Sequence, residues 1–149
     1  MQLKTLTIND IRSFRPCYDP VTGLDSSGNT IHAGGFLLED WQGTVIDILK
    51  VTACPCEDRL WVVCREELID SRTLRLFAVW CARQALMLEN APDPRSITAC
   101  DVAELYANGL ATNDELDAAR AAARDAAWAA TRAAAWAAQI DHLIEMLSA

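Results

Sequence analysis

The chain has 149 residues, 52% of them hydrophobic, and carries 13 basic against 21 acidic side chains for a formal charge of −8. That length suits a single domain with one sizeable core, and the apolar fraction argues against a disordered chain. The acidity is spread: residues 1–111 hold 10 basic and 15 acidic side chains, residues 112–149 hold 3 and 6. Such a surface repels phosphate backbones, which disfavours direct nucleic-acid binding. It suits a basic protein partner, including a nucleic-acid-binding protein whose groove it would occupy. The plainer reading is that net charge keeps the protein soluble. No stretch approaches the roughly 18 consecutive apolar residues of a membrane helix. The opening MQLKTLTIND lacks the apolar core of a signal peptide. A cytoplasmic protein is therefore expected.

LTINDIRSF reads as a short helix capped by Thr7 and stopped by Pro16 and Pro20. Residues 17–40 hold Gly23, Gly28, Gly34, Gly35 and a DSSGN cluster, which mark turns or a mobile loop, with a weak hairpin signal at SSGN. WQGTVIDILKV gives a short helix carrying Val45, Ile48 and Leu49. In ACPCEDRLWVVCREELI, Pro55 fits a first helical turn and Glu57 and Asp58 favour its positive end; Leu60, Trp61, Cys64 and Leu68 follow at helical spacing. Asp70 or Ser71 caps SRTLRLFAVWCARQALMLE. Its polar stripe is limited to Arg72, Arg75 and Arg83, so it is expected at the centre of the domain. Asp93 and Pro94 open RSITACDVAELYANG, which Gly109 closes. Thr112 and Glu115 fit a capping box, and from there to about Leu147 nothing stops a helix.

That last helix contains RAAARDAAWAATRAAAWAAQ, in which Arg120, Arg124, Trp128, Arg132 and Trp136 stand at every fourth position among alanines. Alanine has the best helix propensity and lets helices approach closely. Neighbours four apart touch, which makes Arg124–Trp128, Trp128–Arg132 and Arg132–Trp136 candidate cation–π contacts. The packing reading is a strut docked by its tryptophans. The sharper reading is a partner-binding edge formed by Glu115, Asp117, Arg120, Arg124, Asp125, Trp128, Arg132 and Trp136, since Trp and Arg are frequent interface anchors.

The six cysteines, Cys17, Cys54, Cys56, Cys64, Cys81 and Cys100, read as free thiols; Cys64 and Cys81 sit in apolar runs and are expected to be buried. Cys54-Pro-Cys56 with Cys64 lacks the pair spacing of a zinc site, and His32 and His142 are remote. A catalytic cysteine would need a base, and only His32, in the Gly-rich loop, offers one to Cys17 or Cys54. An open polar pocket joining His32 to a cysteine would favour an enzyme. His142 and Glu145 lie three apart, the reverse order of a carboxylate-bridged metal motif, and read as a solvated helix end. There is no phosphate loop and no nucleophile elbow. No catalytic residue, metal or cofactor is expected.

Several strings carry a resemblance: RLWVVCREELID, RTLRLFAVWCARQAL, NAPDPRSITACDVAELYANGLATNDEL, AARDAAWAA and QIDHLIEML. From about Trp41 to Leu147 the chain resembles small Ala/Trp-rich helical proteins of phage and prophage genomes, similar to a helical immunity-protein family found beside bacterial toxins. The Gly-rich 22–35 segment departs from that pattern. The resemblance implies an all-α protein that acts by binding another protein, with no catalytic residues to transfer. In a phage it implies a blocker of a host defence factor, in the manner of an anti-CRISPR, as readily as a toxin neutraliser.

The expected architecture is one all-α domain over 1–149 with five or six helices. A helix and Gly-rich loop span 1–40, core helices 41–111, and a long Ala-rich helix 112–148. The expected function is non-enzymatic inhibition through an acidic helical surface, with a basic host defence protein or toxin as partner and no membrane or direct nucleic-acid contact. The alternative is a self-associating phage assembly protein, for instance a homodimer paired through its alanine face.

Overall fold

The computed structural model describes residues 3–89, 92–123 and 132–148, with the backbone alone at 123 and 132–137. Among these the protein is mostly helical, with seven helices and one two-stranded sheet. The chain divides into two compact units, Met1–Leu68 and Ile69–Ala149. The division falls inside the 41–111 segment that the sequence presents as one run of core helices.

The first unit is built from a repeated local device. Strand β1 (Leu6–Thr7) leads into helix α1 (Ile8–Ser13), and strand β2 (Gln42–Gly43) leads into helix α2 (Val45–Leu49). The strands pair antiparallel, Leu6 with Gly43 and Thr7 with Gln42. Each helix starts on a reciprocal cap. The Thr7 N–H donates to Asp10 Oδ2 at 2.8 Å and the Asp10 N–H donates to Thr7 Oγ1 at 3.3 Å. The Thr44 N–H donates to Asp47 Oδ2 at 2.7 Å and the Asp47 N–H to Thr44 Oγ1 at 3.4 Å. Each pair satisfies donors that a helix start leaves open. Leu6, Ile8, Ile11, Val45, Ile48 and Leu49 behind these caps are buried.

Helix α3 (Cys56–Val63) packs against α2. Its buried face differs from the one that spacing suggests. Arg59 and Val63 are buried, whereas Trp61 is 42% exposed. The helix ends at Val63, so Leu68 lies beyond it; Cys64 is exposed as a residue, yet burial at its sulfur pushes the thiol up to about 11. Arg65 sets its guanidinium over Phe14 at 4.5 Å and over Trp61 at 4.3 Å, tying the end of α1 to α3 by cation–π contact.

Residues 17–40 are held by carboxylate hubs. The Asp19 carboxylate accepts from the backbone N–H groups of Val21 and Thr22 and from Arg12 Nε, which lies at 2.6 Å. Arg12 also donates to both oxygens of Glu39, at 2.6 and 2.8 Å. Asp25 accepts from the N–H groups of Ser27 and Asn29, and the hairpin signal is realised as a single antiparallel bridge, Leu24 with Thr30. Gly23 has φ +73°, and its carbonyl accepts from the Ile31 and His32 N–H groups. A Cβ at Gly23 would overlap the His32 carbonyl oxygen.

In the second unit, helix α4 (Ser71–Met87) packs against α5 (Pro94–Ala107) and α7 (Arg132–Ser148), and α5 packs against α6 (Asn113–Ala123). The caps stand where the sequence places them: Asp70 accepts from the Thr73 N–H, Asp93 from the Arg95 N–H, and Thr112 and Glu115 bond reciprocally. At the end of α5, Gly109 adopts φ +74°, and the Leu110 N–H reaches the Leu105 carbonyl. This closes the helix as a Schellman motif.

The thin arginine stripe of α4 grips α5. Arg72 donates to Asn108 Oδ1 at 2.7 Å, Arg75 stacks 5.1 Å from the Tyr106 ring, and Arg83 reaches Asp101 at 2.9 Å and Glu104 at 2.6 Å. The helix is not buried all round: Phe77 and Val79 are buried, while Met87 and Leu88 at its end are exposed. Against α7, Trp80 stacks on His142 at 4.2 Å, and Ile140, Leu143 and Leu147 are buried. His142 is therefore a packing residue as well as a neighbour of Glu145, at 3.5 Å. Residues 124–131, the middle of the continuous helix expected over 112–148, lie outside the described residues.

Two outcomes follow. Gly23→Ala forces a side chain into the His32 carbonyl and should lower the melting temperature by several degrees, with protease sensitivity gained in 17–40. The Arg12 bond, joined by the Val21 and Thr22 N–H groups, holds the Asp19 carboxyl at about 2, below the ordinary value of about 3.9. Its stabilising contribution is full above about pH 4 and is lost as pH falls through about 2. Melting curves across that window should fall more steeply for the wild type than for Asp19→Asn; parallel curves would contradict it.

Candidate functional site

The first unit contains a partly open pocket of about 190 Å³. Its walls come from α1 (Ile11), the 16–37 loop (Pro16, Pro20, Phe36, Leu37), α2 and its exit (Ile48, Val51), and α3 (Trp61, Val62). The apolar side chains come from segments too short to bury each other completely, and the loop residues are brought over them by the Arg12–Asp19–Glu39 network. Cys17, Tyr18, Cys54, Glu57, Asp58 and Arg59 complete the lining.

The polar groups at this pocket are coupled. The Tyr18 hydroxyl donates to Asp58 Oδ2 at 2.6 Å, and the Tyr18 ring meets His32 edge-on at 4.7 Å and Phe36 at 6.1 Å. Burial raises the Tyr18 hydroxyl well above its ordinary range, and the bond to Asp58 raises it further. Burial also pushes the Cys54 thiol up to about 11, aided by the negative charge of Asp58. Cys54 is thus held in its neutral, weakly nucleophilic form. The His32 ring is engaged by Tyr18 and by Phe36, 4.9 Å away. The walls are mainly apolar, so the arrangement is suited to receiving an apolar group and not to general-base attack by a cysteine.

Arg59 is the residue that sequence reasoning missed. Only 8% of it is exposed. Nη1 donates to the Leu49 carbonyl at 2.5 Å and Nη2 to Cys56 Sγ at 3.1 Å. Leu49 is the last residue of α2, so the guanidinium closes an orphan carbonyl at the negative end of that helix. The one available signal was spacing: Cys56, Arg59 and Val63 fall three and four apart, on one face.

The residues proposed from sequence for partner binding lie elsewhere. Glu115, Asp117 and Arg120 are exposed on α6. Glu115 is committed to its cap, accepting from the N–H and hydroxyl of Thr112, which lowers its carboxyl's affinity for protons. Asp117 stands 3.9 Å from Arg120. Arg124, Asp125 and Trp128 lie outside the described residues, as do the side chains of Arg132 and Trp136. On the neighbouring α5, Ile97 and Leu105 are 44% and 43% exposed, and Leu110, just beyond the helix, is 73% exposed. Ile97, Asp101 and Leu105 are four apart and share a face.

Among the described residues, no group of three or more His, Cys, Asp and Glu side chains is placed to hold a metal ion, and no helix is long and apolar enough to cross a membrane. No protein-family model matches the chain, and no curated protein or solved structure matches it significantly.

Removing the Tyr18 hydroxyl tests how firmly the loop is anchored to α3. Tyr18→Phe keeps the ring contacts and deletes the bond to Asp58, which should cost about 1–2 kcal/mol by chemical denaturation. A change below a few tenths would show that water replaces the bond without loss.

Proposed function

We propose that this protein acts without catalysis, by binding a basic protein partner through the α5–α6 side of its second unit. The reading rests on one observation: α6 exposes its acidic first turns while it packs against α5, which carries exposed apolar residues. Among the described side chains of α6 only Leu116 is buried, and Asp114, Asp117, Ala118, Arg120, Ala121 and Ala122 are exposed. Ile97, Leu105 and Leu110 supply apolar area on the adjoining helix and its exit. Apolar side chains among charged ones are the ordinary composition of a protein interface, and the negative charges would steer a basic partner toward it.

The kind of partner comes from the resemblance to phage and prophage immunity-type proteins. The reading is an inhibitor of that class, directed at a host defence protein or a toxin inside the host cell. The alternative of a self-assembling phage component is favoured by the exposed alanines, which permit close helix pairing.

The test is affinity capture of the tagged protein from bacterial lysate at low and high salt, with the wild type beside an Asp114→Lys/Asp117→Lys variant. Both changes leave the Thr112–Glu115 cap intact. The expected outcome is one stoichiometric protein that is released by salt and reduced at least tenfold in the variant. Recovery of the bait alone, as a defined oligomer, would replace inhibition with self-assembly.

A further inference from the structure

Few voids larger than a water molecule survive in a packed interior, and an apolar one left empty is destabilising. The pocket of the first unit holds about 190 Å³. An engineered apolar cavity of roughly 150 Å³ stays dry and takes up benzene. The pocket therefore has room for one aromatic ring and a short arm, and is too small for a drug-sized molecule. Every lining residue belongs to the first unit, so the site is independent of the α5–α6 surface.

Its walls favour a ring. Tyr18 and Phe36 are inclined at 68° with their centroids 6.1 Å apart. Trp61 is a third ring in the lining, and Ile48 and Val51 supply aliphatic surface. Aromatic pairs prefer edge-to-face or offset contacts, and two rings inclined in this way can offer an entering ring an edge and a face.

The charge at the pocket is negative on balance. Three charged side chains line it, Glu57, Asp58 and Arg59. Arg59 is 8% exposed and gives its Nη groups to the Leu49 carbonyl and to Cys56 Sγ; its Nε, though unpartnered, is sealed from solvent. The two carboxylates are more open, and among the described residues neither has a basic side chain within ion-pair distance. Asp58 accepts the Tyr18 hydroxyl at Oδ2, while its Oδ1 receives no hydrogen bond from the described residues. Cys54, on the wall, senses the sum. Burial is the first cause of its raised thiol, and among the charges acting on it Asp58 outweighs Arg59, with Glu57 adding to Asp58. An anionic ligand would be repelled here. A cation would find a half-buried carboxylate with an open oxygen, where a charge-assisted bond is strong, and aromatic walls favour it further.

We propose that this pocket is a binding site for a small aralkylamine, its ring between the apolar walls and its ammonium donating to Asp58 Oδ1. The Tyr18–Asp58 bond stays in place. A bound ring joins the 16–37 loop to α2 and α3, so occupancy stabilises the first unit.

The test is calorimetric titration of the full chain with phenethylamine at neutral pH, with phenethyl alcohol and hydrocinnamate as its neutral and anionic counterparts. Saturable one-site binding of the amine is expected, at least about tenfold tighter than hydrocinnamate. Nuclear Overhauser contacts should run from its ring protons to the methyl groups of Ile48 and Val51. Asp58→Asn, which can still accept the Tyr18 hydroxyl, should bring the amine down to the affinity of the alcohol. Absence of saturable binding, binding without those methyl contacts, or either counterpart bound as tightly as the amine overturns the proposal on the wild type alone, whether or not the variant folds.

Discussion

A helix of five or six residues cannot hold itself in water, because nucleation costs more than a single turn of hydrogen bonds returns. Two of the first unit's helices, α1 and α2, are that short, and its structure follows from how their ends are closed. Threonine and aspartate close the starts of α1 and α2 reciprocally, and the pairing of Leu6–Thr7 with Gln42–Gly43 sets the two starts side by side. Arg59 then closes the far end of α2 from a neighbouring helix. The burial of that cation has a local cause: a helix leaves its last carbonyls without intrahelical donors, and a long side chain from α3 reaches the one at Leu49.

The same device changes what the net charge means. Asp10, Asp19, Asp25, Asp47, Asp70, Asp93 and Glu115 all accept hydrogen bonds from nearby backbone N–H groups. These carboxylates serve as internal wiring, held ionised by the donors around them. Their charge remains, but the oxygens committed to backbone N–H groups are not open to a partner, so the acidic contacts on offer are fewer and more local than a charge of −8 suggests. Asp114 and Asp117 on α6 matter because the Thr112 cap uses Glu115 and leaves them facing solvent.

What the sequence made legible was whatever depends on residues three or four apart. The Thr7, Asp70, Asp93 and Thr112 caps, the Gly109 stop and the helical class were all readable, since each is a local bond with its own residue preference. The T-x-x-D cap of α2 was just as readable in GTVID, beside its counterpart LTIND. What could not be read depends on distant partners. Arg59 looks like a solvated charge until the Leu49 carbonyl is placed beside it. Arg72, Arg75 and Arg83 look like a water-facing stripe until Asn108, Tyr106, Asp101 and Glu104 are brought opposite. Residues 17–40 look mobile by composition, yet Asp19 and Asp25 convert their glycines into defined turns. The α3 face was misassigned because apolar periodicity favoured Trp61, whereas that ring is half-exposed and packs against the Arg65 guanidinium.

The alanine-rich helix shows how composition and packing separate. The strut expected of 120–139 turns on Trp128 and Trp136, whose side chains lie outside the described residues. Over the described part of α6, Ala118, Ala121 and Ala122 are exposed, and the helix is anchored through Leu116 with Ala119 half-buried. The Tyr106 hydroxyl adds a bond to Asn113 Oδ1 at 2.6 Å across to α5. Alanine needs little tertiary help to stay helical, and the Thr112–Glu115 box secures the start. High intrinsic propensity thus frees the rest of the helix surface from packing. An exposed alanine contributes little adhesion of its own, so the specificity of anything that binds there must come from the charged residues between the alanines and from the apolar side chains of α5.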